Sequence, residues 1–136
     1  MNQLDALFAF NQQALNLRAH RSQVLASNVA NADTPGYQAR DFDFAQALNQ
    51  AIGKPSAGPG ALTATSPNHL QGTPTGETLP GGTPLLYRKV TQASVDNNTV
   101  DMDVERAQFA DNAIHYEANL MFITGQIKTM LAALQG

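Results

Sequence analysis

The 136-residue chain contains no cysteine and no tryptophan, and only 14% of its residues are charged, against roughly 25% in an average soluble domain. The missing cysteines exclude disulfides, thiolate chemistry and cysteine-based zinc sites together. They leave the compartment open, since proteins of oxidising and reducing spaces alike can do without thiols. A net charge of −3 supplies no basic footprint for a nucleic acid. No run approaches the roughly 20 apolar residues of a membrane-spanning helix. The opening "MNQLDALFAFNQQALNLRAH" has neither a basic n-region nor an uninterrupted apolar h-region, so it does not read as a cleavable secretory signal. Export from the cytoplasm would have to read some other signal.

Catalytic patterns are missing as well. His20, His69 and His115 lie in three separate segments, with no i, i+4 pair of the kind that holds a metal on a helix. Asp101, Asp103 and Glu105 gather where a helix begins, and the helix dipole accounts for them. Asp41 and Asp43, on either side of Phe42, read as outward-facing strand positions followed by a helix cap. Nucleophile elbow, phosphate loop and dinucleotide fingerprint are all absent. The expectation is a protein with no catalytic residue, no metal, no cofactor and no small-molecule substrate.

What is present is helical periodicity at both ends. Residues from about 3 to 32 place Leu4, Leu7, Phe8, Ala14, Leu15, Leu25 and Val29 on one arc of a helical wheel. A second seam, Leu7, Phe10, Ala14, Leu17, Val24 and Asn28, follows if Arg21 is accepted as a gap. The stretch "NVANADTPGYQARDFDF" (28–44) then breaks the pattern. Asn31 or Asp33 can end the helix in the left-handed conformation, and Pro35-Gly36 suits the centre of a type II turn. Asp43 and Gln46 resemble a capping box for a short helix from about 44 to 51, stopped by Gly53. Residues 53–84 are dominated by glycine, proline and threonine and read as an extended segment. "LLYRKVTQ" (85–92) is a strand or hairpin arm.

The strongest signal is the last. Phe109, Ala113, Tyr116, Leu120, Ile123, Ile127, Met130 and Leu134 alternate steps of four and three, which is a heptad seam. They predict a helix over 101–136, roughly 50 Å long. The fold class expected is mainly α: N- and C-terminal helices paired as an antiparallel coiled coil, with a Pro/Gly-rich middle and a short strand or hairpin. The parts are 1–32, the N-terminal helix; 33–52, the turn and short helix; 53–100, the extended segment with its strand; and 101–136, the C-terminal helix, all in one structural unit. Two helices alone would leave the second N-terminal seam and Ile114, Met121 and Leu131 uncovered. The sequence therefore asks for partners.

"LASNVANADTPGYQARDFDF" (25–44) resembles the N-terminal motif of the bacterial flagellar axial proteins, the rod and hook family: an Asn-x-Ala-Asn helix end followed by Thr-Pro-Gly-Tyr. The continuation "QARDFDF" is similar to the form found in proximal rod subunits rather than in hook or distal rod subunits. "SPNHL" (66–70) and "NNTVDMDVERAQFADNAIHYEANL" (97–120) look like segments of the same subfamily. The chain also lacks the large inserted domains of hook-type subunits. Val29 stands where isoleucine is more usual, a change of one methylene with little consequence. The resemblance maps the family motif and turn onto Asn28, Ala30, Asn31, Thr34, Pro35, Gly36, Tyr37, Phe42 and Phe44.

The resemblance implies a structural subunit of the basal-body proximal rod in the periplasm. Such a subunit is exported by the flagellar type III apparatus without signal cleavage. Its implied partners are copies of itself, other rod proteins, and the MS-ring and export-gate components at the rod base. Subunit packing is expected through Leu7, Phe10, Leu17, Val24, Phe109, Ala113, Tyr116, Leu120, Ile123, Ile127, Met130 and Leu134, with both chain ends ordering fully on assembly. The alternative is a soluble helical adaptor or export chaperone that binds another protein's helix in its open seam.

Overall fold

The computed structural model describes residues 3–53, 79, 83–89 and 95–135. Most of the Gly/Pro/Thr-rich segment, including "SPNHL" and His69, lies outside the described residues. The elements are α1 (Gln3–Ala30), β1 (Arg40–Asp41), α2 (Phe44–Ala51), β2 (Leu86–Tyr87) and α3 (Met102–Gln135). The fold is mainly α.

Local chemistry explains each boundary. Asp43 caps α2 by accepting from the Gln46 amide at 3.0 Å, satisfying one of the amide groups that a helix start leaves unpaired. Gly53, at φ 72°, takes the left-handed conformation beyond the other end. The Asp101 side chain accepts from the amides of Asp103 and Val104 and opens α3. Between α1 and β1, the Tyr37 amide donates to the Thr34 carbonyl at 3.2 Å, with Gly36 at φ 73°. That is the positive φ which the third residue of a type II turn requires.

β1 and β2 form an antiparallel ladder, Arg40 opposite Tyr87 and Asp41 opposite Leu86. The Arg88 amide donates to the Ala39 carbonyl. Alternate residues of a strand point their backbone groups to opposite edges, so those of Arg40 face away from β2.

The two long helices touch along their length in opposite order. Asn28 meets Glu105, Ser22 meets Asn112 and Asn11 meets Asn119, so α1 and α3 run antiparallel. The apolar core sits to one side of them, where Leu17, Phe42, Ala47 and Leu79 are buried against Phe44, Leu48 and Leu85. The Arg18 guanidinium lies 3.9 Å over the Phe44 ring, a cation–π contact that closes the core's edge. The buried residues of α3 are polar, Glu105 and Asn112.

Candidate functional site

The last turn of α1, the Thr-Pro-Gly turn, the β ladder and the entry to α3 converge on Asn28, which is fully buried. Its side-chain amide donates to the Arg40 carbonyl at 2.8 Å and accepts from the Arg40 amide at 3.0 Å. One side chain thus occupies the free edge of β1 as a neighbouring strand would. The same amide nitrogen donates to Glu105 at 3.2 Å, and the Tyr37 hydroxyl donates to the Asn28 oxygen at 3.2 Å. A primary amide offers an acceptor beside a nitrogen with two hydrogens, as these two donated bonds and the two accepted ones need.

Around Asn28 lies a charge cluster. Arg21 grips Asp41 with two bonds of 3.1 and 2.9 Å and reaches Gln108 of α3 at 2.8 Å. Arg88, next to β2, bonds Asp41 at 3.0 Å and also pairs with fully buried Glu105. Two guanidinium groups face two carboxylates, so the burial of each charge is offset by an opposite one. Burial would raise the Asp41 pKa, but the bonds from Arg21, the Phe42 amide and Arg88 outweigh it and hold the carboxyl below the usual carboxylate value. The bond to Asp41 likewise raises Arg21 against its own burial.

A third contact joins helix end to helix start. The Asn98 amide nitrogen lies 2.9, 2.7 and 2.9 Å from the carbonyl oxygens of Asn31, Ala32 and Thr34, while its oxygen accepts from the Val100 amide. Alongside it, Gly36 donates to the Asp96 carbonyl and Thr99 to the Tyr37 carbonyl. The carbonyls beyond α1 are therefore satisfied from a segment more than 60 residues away in the chain. Such an arrangement fixes the angle between segments.

The family model described as flagella basal body rod protein matches residues 9–38, which run from α1 through the turn. The flagellar basal body rod protein FlgB of Escherichia coli K12 is 50% identical over 137 residues, covering 99% of this chain and 97% of that protein. The FlgB of Salmonella typhimurium LT2 is 49% identical over 138 residues, covering 100% and 98%. That of Buchnera aphidicola from Acyrthosiphon pisum is 42% identical over 135 residues, covering 99% and 98%. The chain belongs to the FlgB family of flagellar basal body rod proteins.

Members of this family are structural proteins of the rod. Among the described residues there is no group of three or more His, Cys, Asp or Glu that could hold a metal, and no helix is long and apolar enough to cross a membrane.

The motif residues gather at the joint. Phe42 is buried, Tyr37 and Phe44 are half-buried, and Ala30, Thr34, Pro35 and Gly36 are exposed. Asn31 bonds back to the Ser27 carbonyl. The packing candidates divide. Leu17 belongs to the core; Val24, Tyr116, Leu120, Ile123 and Met130 are half-buried; Leu7, Phe10, Phe109, Ala113, Ile127 and Leu134 are exposed.

Four sequence expectations are corrected. Asp41 does not face outward but lies between two arginines. Glu105 is a buried partner of Asn28 and Arg88, beyond any role at a helix start. Arg21 is a contact to α3 rather than a gap in a seam. Asn31 and Asp33 have no positive φ, because Asn98 takes the carbonyls that a left-handed cap would otherwise redirect. Asn98, Arg88 and Asn112 carried no local sequence signal, since each acts on residues distant in the chain.

Proposed function

We propose that this rod protein is a proximal-rod subunit in the periplasm, delivered unfolded or partly folded by the flagellar type III apparatus. It packs by lateral helix contacts with copies of itself and other rod proteins, near the MS ring and export gate. In that packing α1 and α3 act as a coiled coil, and Phe109, Ala113, Ile127 and Leu134, with Leu7 and Phe10, contact neighbouring helices. The observation that carries this reading is the apolar outer surface of α3, where Ile114 is 69%, Met121 72% and Phe122 55% exposed. A groove of about 480 Å³ between Leu7 and Phe8 on α1 and Met121, Phe122 and Met130 on α3 extends that surface. Apolar faces of this extent mark contact with another macromolecule.

The test separates folding from assembly. Met121→Glu combined with Phe122→Glu should alter the stability of the isolated chain by only about 0.5 kcal/mol, as is usual for exposed sites. The variant should still be exported but should not restore motility to a strain lacking the protein, nor co-purify with detergent-extracted basal bodies. Normal motility would refute lateral packing through this face. Retention of the unmutated chain in the cytoplasm, bound to one soluble partner, would favour the adaptor reading instead.

A further inference from the structure

Glu105, Asn112, Asn119 and Gln126 follow one another at seven-residue intervals along α3, and this polar row, flanked by half-buried Tyr116, Ile123 and Met130, faces α1. Each helical residue turns about 100°, so Phe109, Tyr116, Ile123 and Met130 lie about 40° to one side of the row, and Ala113, Leu120, Ile127 and Leu134 about 100°. Three rungs have specific partners on α1. Glu105 accepts from Asn28. Asn112, fully buried, donates to the Arg18 carbonyl at 2.9 Å and the Ser22 hydroxyl at 2.8 Å, and accepts from Arg18 at 3.4 Å. Asn119 donates to the Asn11 carbonyl at 3.3 Å. At the fourth, the Gln126 oxygen is buried with no partner among the described residues.

We propose that this row sets the register and the partner of the helix pair. Glu105, Asn112 and Asn119 are the positioning residues that admit one alignment of α1 with α3. A polar group at a buried helix seam lowers stability but penalises every alignment that leaves it unpaired. A slip of one heptad that brought Gln126 beside Asn11 would set Asn112 against Leu25 and Val29 in place of Arg18 and Ser22, and neither side chain has a hydroxyl or guanidinium to offer. The inner face of another copy's helix would fail in the same way unless it met Asn112 in the native register. The inner seam thereby refuses wrong partners, while the apolar outer faces remain for lateral contacts.

The absence of native cysteine makes disulfide trapping in the purified full-length chain unambiguous. Asn11→Cys with Asn119→Cys reports the native register and gives up the Asn119 rung, leaving Glu105 and Asn112 to hold the alignment; Asn11→Cys with Gln126→Cys reports the slipped one. In the parent background the first pair should close within one chain and the second should not. Ser22→Ala with Asn112→Leu removes both side chains of the Ser22–Asn112 bond, so no hydroxyl is left unpaired, and Arg18 keeps its contact with the Phe44 ring. This background should keep or raise the thermal midpoint. The slipped product and covalent dimers should rise about fivefold, the factor corresponding to one net hydrogen bond. The proposal is overturned if the midpoint falls or the variant does not fold, since the amide would then serve stability. It is equally overturned if the native intrachain product remains alone, or if the parent already forms the slipped product.

Discussion

At the scale of single residues, the joint depends on groups whose hydrogen-bonding capacity is fully specified. Asn28 satisfies both backbone groups of Arg40, the Tyr37 hydroxyl and Glu105 in a site closed to water. Asn28→Ala leaves several buried partners unpaired, each worth about 1–3 kcal/mol, so a loss of at least about 3 kcal/mol is expected. Asn28→Asp keeps the shape but replaces the donor with a charge next to Glu105, and should be no milder. Urea denaturation of the isolated chain measures both. A loss below about 1 kcal/mol for either variant would mean that the joint tolerates repacking or water at this point. The residue stands out in the sequence as the end of the second α1 seam and the first asparagine of the family motif. Which backbone it would serve was not legible, because Arg40 reaches it only after the turn is folded.

At the scale of elements, the same contrast between local and distant causes separates what could be read from what could not. The two long helices, the short α2 with its Asp43 cap and the Thr-Pro-Gly turn are written in spacings of a few residues, and the periodicity and cap chemistry predicted them within two residues at each end. The Asp41 environment depended on Arg21 and Arg88, which arrive from α1 and the far side of β2; no local pattern announces such a meeting. The α3 stripe was legible as a stripe, but its direction was not. The polar row that meets α1 has its partners 77 to 108 residues away in the chain, so no local spacing marks it. Because Asp41 ties α1 to both strands, its titration is an element-level event. Its folded pKa is depressed, so the stabilisation it provides is complete above the unfolded value of about 4 and is lost as pH falls through the lower, folded value. Protonation leaves Arg21 and Arg88 facing a neutral group. The urea midpoint of the parent should therefore drop between pH 5 and pH 2.5 by more than that of Asp41→Asn, which should begin lower at pH 5. Parallel acid profiles for the two proteins would remove Asp41 from the account.

At the scale of the whole molecule, stabilising contacts are unevenly spread. Leu17, Leu25, Ala39, Phe42, Ala47 and Leu79, together with the charge cluster and the Asn98 contacts, all lie in the half of the chain around the joint. Beyond Asn112, α3 has no buried residue along the rest of its length to Gln135, and residues 5–10 of α1 are comparably open. Helical segments with so little tertiary support are marginal in water, and local opening follows the number of such contacts. In the isolated chain, amide exchange should be slowest at residues 25–28, 39–48 and 102–112. It should quicken toward residues 5–10 and 121–135, with protection there falling by at least about tenfold relative to the joint, the factor that 1.4 kcal/mol represents. Burial of Ile114, Met121, Phe122 and Leu131 by neighbouring helices would contribute about 25 cal/mol for each Å² of apolar surface removed from water. The same amides should then become protected in isolated basal bodies. Uniform protection along α3 in the free chain would show that the helix pair is complete by itself, and the exposed apolar faces would lose their role in ordering the ends.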